Sequence, residues 1–241
     1  MRVLVIDVGG NNVKLLASGA STPRKVPSGP TLTARRMAAE VKRATSDWRY
    51  DAVTIGVPCP VKNGRVLQEP KNIGRGWTRF DYRRAFRRPV RILNDAAMQA
   101  LGSYRGGRML FLGLGTGLGA ALVLEGVVQP LEIAHLPYRN GKTYEDFLGK
   151  RSLDRLGKKR WRTLVAEIVP CLRHAFQVDE IVLGGGNVKH LKELPEASRI
   201  GGNTRAFQGG FRVWGATHGH DSRRARASLA AVPAEPRRRL A

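Results

Sequence analysis

Residues 1–17 read MRVLVIDVGGNNVKLLA, and residues 109–124 read MLFLGLGTGLGAALVL. Each is an apolar run, a glycine-bearing turn and a second apolar run, the pattern of two strands folded back on a tight turn. In the first, the run 2–8 ends at Gly9-Gly10 and resumes over Val13-Lys14-Leu15-Leu16-Ala17, which makes GGNN the turn between antiparallel strands. In the second, Gly113, Gly115, Gly117 and Gly119 alternate with apolar residues and Thr116. Each glycine weakens a strand interior, so such a cluster calls for a reason, and close approach of backbone to a ligand supplies one. The stretch is no Walker loop, because no Gly-Lys-Ser/Thr follows, and it opens onto strand-like residues rather than a helix.

Outward from these two hairpins the chain divides into like halves. After the first hairpin comes a polar, Pro-containing stretch to about Gly29. An amphipathic helix is predicted over Thr31 to Ser46, with Leu32, Met37, Val41 and Ala44 on one side and Thr31 or Thr33 near its cap. A buried strand runs from Ala52 to Val57, halted by Pro58 and Pro60. Turns and loops fill 61–78, then a short strand spans Val90 to Leu93 and a helix Asp95 to Tyr104. After the second hairpin, Glu125-Gly126 is a turn leading to Val127-Val128. Residues 143–156 and 158–176 read as helices, Glu180 to Leu183 as a strand entering Gly184-Gly185-Gly186-Asn187, with a helix after it. Gly201-Gly202-Asn203 is a turn before a last apolar segment, Phe207 to Trp214. The organisation is α/β: an N-terminal domain over 1–104, a C-terminal domain over 105–215, and a basic, flexible tail over 216–241 of Ala, Pro and Arg. Two halves with facing glycine turns imply a ligand-binding cleft.

Composition sets the outer limits. The chain has 241 residues, 42% of them hydrophobic and 25% charged, an ordinary globular balance. No apolar run reaches membrane-spanning length, and the opening run is too short for a signal-peptide core, so no membrane partner is expected. Cys59 and Cys171 match no metal spacing and suit a reducing cytoplasm. Forty-two Lys and Arg against 19 acids give a formal charge of +23, a field that attracts polyanions. Arginine bias explains that charge equally well. Nucleic acid stays open as a partner but is disfavoured, because no aromatic residues interleave the basic pairs.

Several residues have the chemistry for a site. Gly9, Gly10, Asn11 and Asn12 offer amides and donors to phosphate oxygens, and Asp7 stands where it could orient the hydration shell of Mg2+. Asp95, in Ile92-Leu93-Asn94-Asp95, ends a buried strand at a helix start, where it could accept a proton or simply cap the helix. Glu132 and His135 lie three apart in LEIAHL; without H-E-x-x-H they do not suggest a zinc protease. Gly184, Gly185 and Gly186 follow a strand, where free amides at a helix start suit a phosphate or the edge of a nucleoside.

Taken in order, these motifs resemble the ROK family of sugar kinases, and especially its shorter polyphosphate/ATP glucokinase branch. DVGGNNVK resembles the family's first phosphate loop, IGVPCPVKNGRV its G-x-P-G-x-V segment, and PKNIGRGW its sugar-side stretch. ILNDAAMQAL is similar to its N-D-A helix start, LGLGTGLGAALVLEG to its second phosphate loop, LEIAHL to its E-x-G-H, and IVLGGGN to its adenosine-side motif. The resemblance spans about residues 3–215 and implies a two-domain actin-like ATPase (ribonuclease H-like) fold with a cleft between the domains. It implies a cytoplasmic glucokinase-type enzyme moving a phosphoryl group from ATP or inorganic polyphosphate, with Mg2+, to the 6-hydroxyl of glucose or a related hexose. Asp95 would be the catalytic base, and Asn72, Asn94, Glu132, His135 and Glu145 would hold the sugar. Asp7, Gly9, Gly10, Asn11, Asn12, Lys14, Gly115, Thr116, Gly117 and Gly184 to Gly186 would hold the donor. A homodimer is the family's habit.

The departures are specific. Residues 136–150 contain no Cys, so the zinc site of the family's longer branch is not expected. Cys59 and Ala134 each replace a family Gly beside the sugar. No N-terminal helix-turn-helix is present, which removes the DNA-binding part of the ROK repressors. Two further functions remain in view: a catalytically idle ROK-like sugar sensor, and a polyanion- or nucleic-acid-binding protein using the basic surface.

Overall fold

The computed structural model describes residues 1–202 and 205–215. The expected basic tail over 216–241 and part of the Gly201-Gly202-Asn203 turn lie outside the described residues. The first half runs β1 (Val3–Val8), β2 (Asn12–Ala17), β3 (Arg24–Pro27), α1 (Ala34–Ala44), β4 (Ala52–Val57), a small hairpin of β5 (Val61–Lys62) and β6 (Arg65–Val66), α2 (Tyr82–Phe86), β7 (Val90–Asn94) and α3 (Asp95–Ser103). The second runs β8 (Arg108–Leu114), β9 (Leu118–Leu124), β10 (Val127–Leu131), a 3-10 turn (Ile133–His135), β11 (Pro137–Arg139), β12 (Lys142–Thr143), α4 (Tyr144–Leu148), α5 (Lys150–Phe176), β13 (Glu180–Gly184), a 3-10 turn (Gly186–His190), β14 (Ser198–Ile200) and α6 (Arg205–Gly215).

The two halves repeat one topology. The first sheet is ordered β3-β2-β1-β4-β7 and the second β10-β9-β8-β13-β14. In each, a three-stranded antiparallel meander joins two further strands that run parallel to its central-edge member. The hairpins that open the halves are the predicted ones, with Val8 opposite Val13 and Leu114 opposite Leu118. Parallel strands covered on both faces need unbroken apolar runs, and β4 is buried at all six positions.

Helices cover the sheets where the spacing of apolar residues permits. In α1, Met37, Ala38 and Val41 turn inward, while Thr33 accepts from the Arg36 amide at 3.2 Å and caps the start. The predicted helix over 143–156 is divided at Gly149. The boundary at Gly157 survives as a kink inside α5, with φ 75° and ψ 164°, a region open to glycine. The segment after IVLGGG forms only a 3-10 turn, because Gly185 takes φ 85° and diverts the chain. The last apolar segment is the helix α6, and β3, α2 and β14 are elements the sequence reading did not contain.

The sheets meet through α3 and α6. Gly102 and Gly209 lie at the crossing, where an added Cβ would stand 1.7 Å from the Arg205 carbonyl oxygen and 1.8 Å from that of Met98. Only glycine allows backbones this close. Although it comes from the second half of the chain, α6 packs Ala206 and Phe207 against Val3, Val5 and Ala52 of the first sheet. Buried Thr54 fixes it there, donating to the Gly210 carbonyl at 2.7 Å and accepting from Trp214 Nε1 at 2.8 Å. On its other side α3 packs Ala96, Ala97 and Ala100 on the second sheet. Asp95 therefore begins a helix clamped between both halves.

Candidate functional site

The two glycine turns open onto one cavity of about 390 Å³, bounded also by the start of α3, the 58–60 and 68–72 loops, and the 131–135 segment. Its walls include Gly9, Gly10, Asn72, Asn94, Asp95, Gly115, Thr116, Gly117, Glu132, His135, Glu145 and Gly185. Twelve positions singled out from sequence thus meet in one place. Asp7, Asn11, Asn12, Lys14, Gly184 and Gly186 do not line it.

Asp95 is the centre of this site. Parallel pairing of β4 with β7 sets Val57 beside Asn94, so β7 ends at the cleft and α3 begins there. The cap of α3 is Asn94, not Asp95: its Oδ1 accepts from the Ala96 amide at 2.9 Å and the Ala97 amide at 3.3 Å. Asn94 Nδ2 donates to the Cys59 carbonyl at 3.2 Å, tying the helix start to the 58–60 loop. With capping handled by its neighbour, Asp95 uses Oδ1 to accept from the Ala96 amide at 2.8 Å and faces the cavity. It keeps part of its surface open, yet close packing makes burial the main influence on its proton. Burial pushes it up to about 7, and the Asp7 and Glu132 carboxylates push the same way against the amide hydrogen bond.

Asp7 lies behind the first turn. Cross-strand pairing sets it opposite Lys14, whose ammonium is 3.8 Å away. Burial raises its pKa, with the Lys14 charge opposing. The turn itself is tied down from the side by Ser28, whose hydroxyl donates to the Gly9 carbonyl at 2.7 Å and whose amide donates to the Asn11 carbonyl at 3.1 Å. Gly9 closes the turn by donating to the Asn12 carbonyl at 3.1 Å. Asn11 and Asn12 thus serve through their backbone, with exposed side chains.

The second turn is held more fully. The Gly115 carbonyl accepts from Asn187 Nδ2 at 2.8 Å and from the Lys150 amide at 3.2 Å, and the Thr116 carbonyl accepts from that amide at 3.2 Å. Glu145, from α4, accepts from the Leu118 amide at 3.0 Å. A Cβ on Gly117 would lie 2.3 Å from that carboxylate, so any larger residue there would displace Glu145 from its bond to Leu118. Gly185 lines the cavity with its backbone against Leu114, whereas Gly184 lies over the Phe111 ring and is a packing glycine.

Glu132 and His135 project from the 3-10 turn with side chains 55% and 60% exposed, 3.8 Å apart. Beside them, Ala134 and Cys59 line the cavity. Burial pushes the Cys59 thiol up to about 12, with the carboxylates of Asp95, Glu69 and Glu132 adding to it, which leaves it an inert wall. Among the described residues no group of three or more His, Cys, Asp or Glu side chains is placed to hold a metal. None of the helices described is long and apolar enough to cross a membrane.

Four polar residues that sequence reasoning did not assign also line the walls: Gln68, Glu69, Lys71 and Gln99. Glu69 also shapes its own loop, accepting from the amides of Trp77 and Thr78 and from the Thr78 hydroxyl at 2.8 Å. Gln99 sits one helical turn after Asp95, the one signal that could have found it. Asn187, at the end of IVLGGGN, acts from behind the second turn.

No family model matches the chain. A glucokinase from Pyrobaculum calidifontis is 30% identical over 96 residues, a match covering 37% of this chain and 32% of that protein. Among solved structures, the inorganic polyphosphate/ATP-glucomannokinase from Arthrobacter sp. strain KM superposes with a TM-score of 0.76 at 20% identity, covering 90% of this chain and 99% of that one. The ROK hexokinase from Thermus thermophilus gives 0.65 at 20% identity, over 90% and 100%. A ROK family glucokinase from Streptomyces griseus, solved with glucose and AMPPNP, gives 0.67 at 17% identity, over 88% and 99%. The chain therefore has the two-domain actin-like α/β fold, and its structural neighbours include ROK-family sugar kinases.

Proposed function

We propose that the protein is a hexose kinase of the glucokinase type, transferring a phosphoryl group from ATP or inorganic polyphosphate to the 6-hydroxyl of glucose or a related hexose. The observation that carries this reading is the setting of Asp95. It is a carboxylate at a fixed helix start, facing a cavity bounded by two glycine turns. A base whose pKa lies near the working pH is well matched to taking a hydroxyl proton, and burial holds Asp95 at about 7.

In this reading Asn72, Glu132 and His135 bind the other hydroxyls of the sugar. Asn94 fixes both Asp95 and the Cys59 loop, and Glu145 faces the sugar while holding the second turn. Cys59 and Ala134 narrow the sugar side and bear on which hexose fits. The amides of Gly10, Thr116 and Gly117 receive donor phosphates on turns that the Gly9 and Gly115 amides close by their own hydrogen bonds, with Asp7, Asn11, Asn12, Lys14 and Gly184 to Gly186 supporting them. Phosphoryl transfer depends mainly on positioning and charge stabilisation, which such turns supply.

Among the described residues no three ligating side chains form a cage, and the Asp7 and Asp95 carboxylates, near enough for Asp7 to raise Asp95, suit a cation that keeps most of its water shell. Mg2+ carried with the donor would neutralise the transferred phosphoryl group, its water shell held by Asp7. The halves 1–104 and 105–215, with α6 riding on the first sheet, would close to exclude water as a rival acceptor. A polyanionic donor is in keeping with the chain's formal charge of +23 and with Lys71 on the cavity wall. The two cysteines are free, Cys59 buried and Cys171 exposed, which suits a cytoplasmic setting; a homodimer belongs to the same reading. The test is glucose with Mg2+ and either ATP or polyphosphate. Formation of glucose 6-phosphate is expected with at least one donor; absence of any phosphorylated hexose with both would refute the proposal.

A further inference from the structure

A second cavity lies at the opposite end of the first sheet, where β1, β4 and β7 begin rather than end. Its volume is about 480 Å³, and its walls carry Arg2, Lys42, Arg49, Arg87 and Arg88 against a single acid, Asp51. We propose that this hollow is an anion site for a phosphoryl group bearing two or more negative charges, separate from the cleft.

The charges there are not neutralised by ion pairs. Among the described residues none of those five cations forms an ion pair, while the neighbouring Arg24 and Arg43 are paired with Asp47 and Glu40. Asp51, ionised and accepting from the Arg2 amide at 2.8 Å, offsets one of these five charges and leaves a net excess of four. Arg88 is fixed in orientation, donating from Nε to the Tyr50 carbonyl at 3.1 Å and from Nη1 to the Arg87 carbonyl at 3.0 Å. That arrangement leaves its Nη2 group as a charge-assisted donor to a ligand oxygen.

Arg87 supplies the second observation. It ends α2 with φ 51° and ψ 36°, the left-handed region that glycine enters without steric cost and that helix ends commonly give to glycine. A long cationic side chain is instead kept at this strained position, on the wall of the hollow. Half-buried Tyr50 and buried Phe86 form its floor. A monocarboxylate would leave most of the cations unneutralised, and a nucleic-acid duplex is too broad to enter a concavity of this size. A phosphate ester or a short phosphate chain satisfies both limits. This inference does not depend on the kinase reading.

Trp48 lines the hollow and reports on it. The full chain is titrated with tripolyphosphate and, separately, with a sugar 6-phosphate, reading the fluorescence change that Trp48→Phe removes. Saturable binding of at least one is expected. Arg49→Ala with Arg87→Gly should weaken it by about tenfold or more, whereas Asp95→Asn should leave it unchanged. Arg87→Gly relieves the strained backbone, so a thermal midpoint that is not lowered is expected and keeps the result interpretable. Tighter binding of tripolyphosphate would assign the site to a phosphate chain, and tighter binding of the ester to a phosphorylated sugar. Equal affinity in the wild type and the double variant, or binding of duplex DNA alone, would overturn the proposal.

Discussion

Replacing Asp95 with Asn should stabilise the protein at alkaline pH, and the size of the effect follows from the site. Burial raises this carboxyl from 3.8 to about 7. A shift of roughly 3 units is worth about 4 kcal/mol, an upper value because one face opens on the cleft, so roughly 2–4 kcal/mol is expected. The sign follows from linkage: a carboxyl whose folded pKa lies above its unfolded one favours the folded state below the unfolded value, and loses that contribution as pH rises through the folded one. The penalty is therefore absent below the unfolded pKa of about 4, grows towards about 7, and is complete above it. Asn keeps the acceptor that the Ala96 amide uses but cannot ionise. Urea unfolding of both proteins at about pH 5 and about pH 8.5 should show the advantage of Asn growing by about 1–3 kcal/mol. An advantage of the same size at both pH values would refute the claim that Asp95 carries a buried charge.

Other consequences can be checked separately. The ratio kcat/KM should rise with pH through about 7, because the active base is the deprotonated Asp95. A profile flat across that range would place the base elsewhere. Glu145→Ala frees the Leu118 amide and should raise the KM for both donor and sugar, each by about tenfold; Glu145→Gln, which can still accept from Leu118, should restore the donor KM and leave the sugar KM raised. Gly102→Ala drives a methyl group into the Arg205 carbonyl at the α3–α6 crossing, and should cost about 2–3 kcal/mol in urea unfolding.

How much of this was legible in the sequence depended on whether a signal was local. β1, β4, β8 and β9 are dense apolar runs, and their ends were marked by glycine or proline. β3 was missed because RKVP at a sheet edge buries only Val26. α6 was hidden by its glycines, which have poor helix propensity. Those same glycines are what allow it to lie against α3 and, through Gly210, against Val5, a contact decided by tertiary structure. At the site, the glycine turns and Asp95 stood out as residues whose cost needs a reason. Glu69 and Lys71 did not, since they reach the cavity only through a loop whose shape rests on hydrogen bonds to Trp77 and Thr78. The choice of Asn94 over Asp95 as cap was likewise beyond composition, because both residue types cap helices well.

The central claim is that Asp95 removes a proton from a bound hexose. Its most direct measurement is the paired determination of turnover and sugar affinity for Asp95→Ala. The account predicts that phosphoryl transfer to glucose falls by a factor of about 100 to 10,000, while calorimetry shows glucose still bound to the full chain. Undiminished transfer in the variant would contradict it, as would a wild-type protein that neither binds nor phosphorylates a hexose.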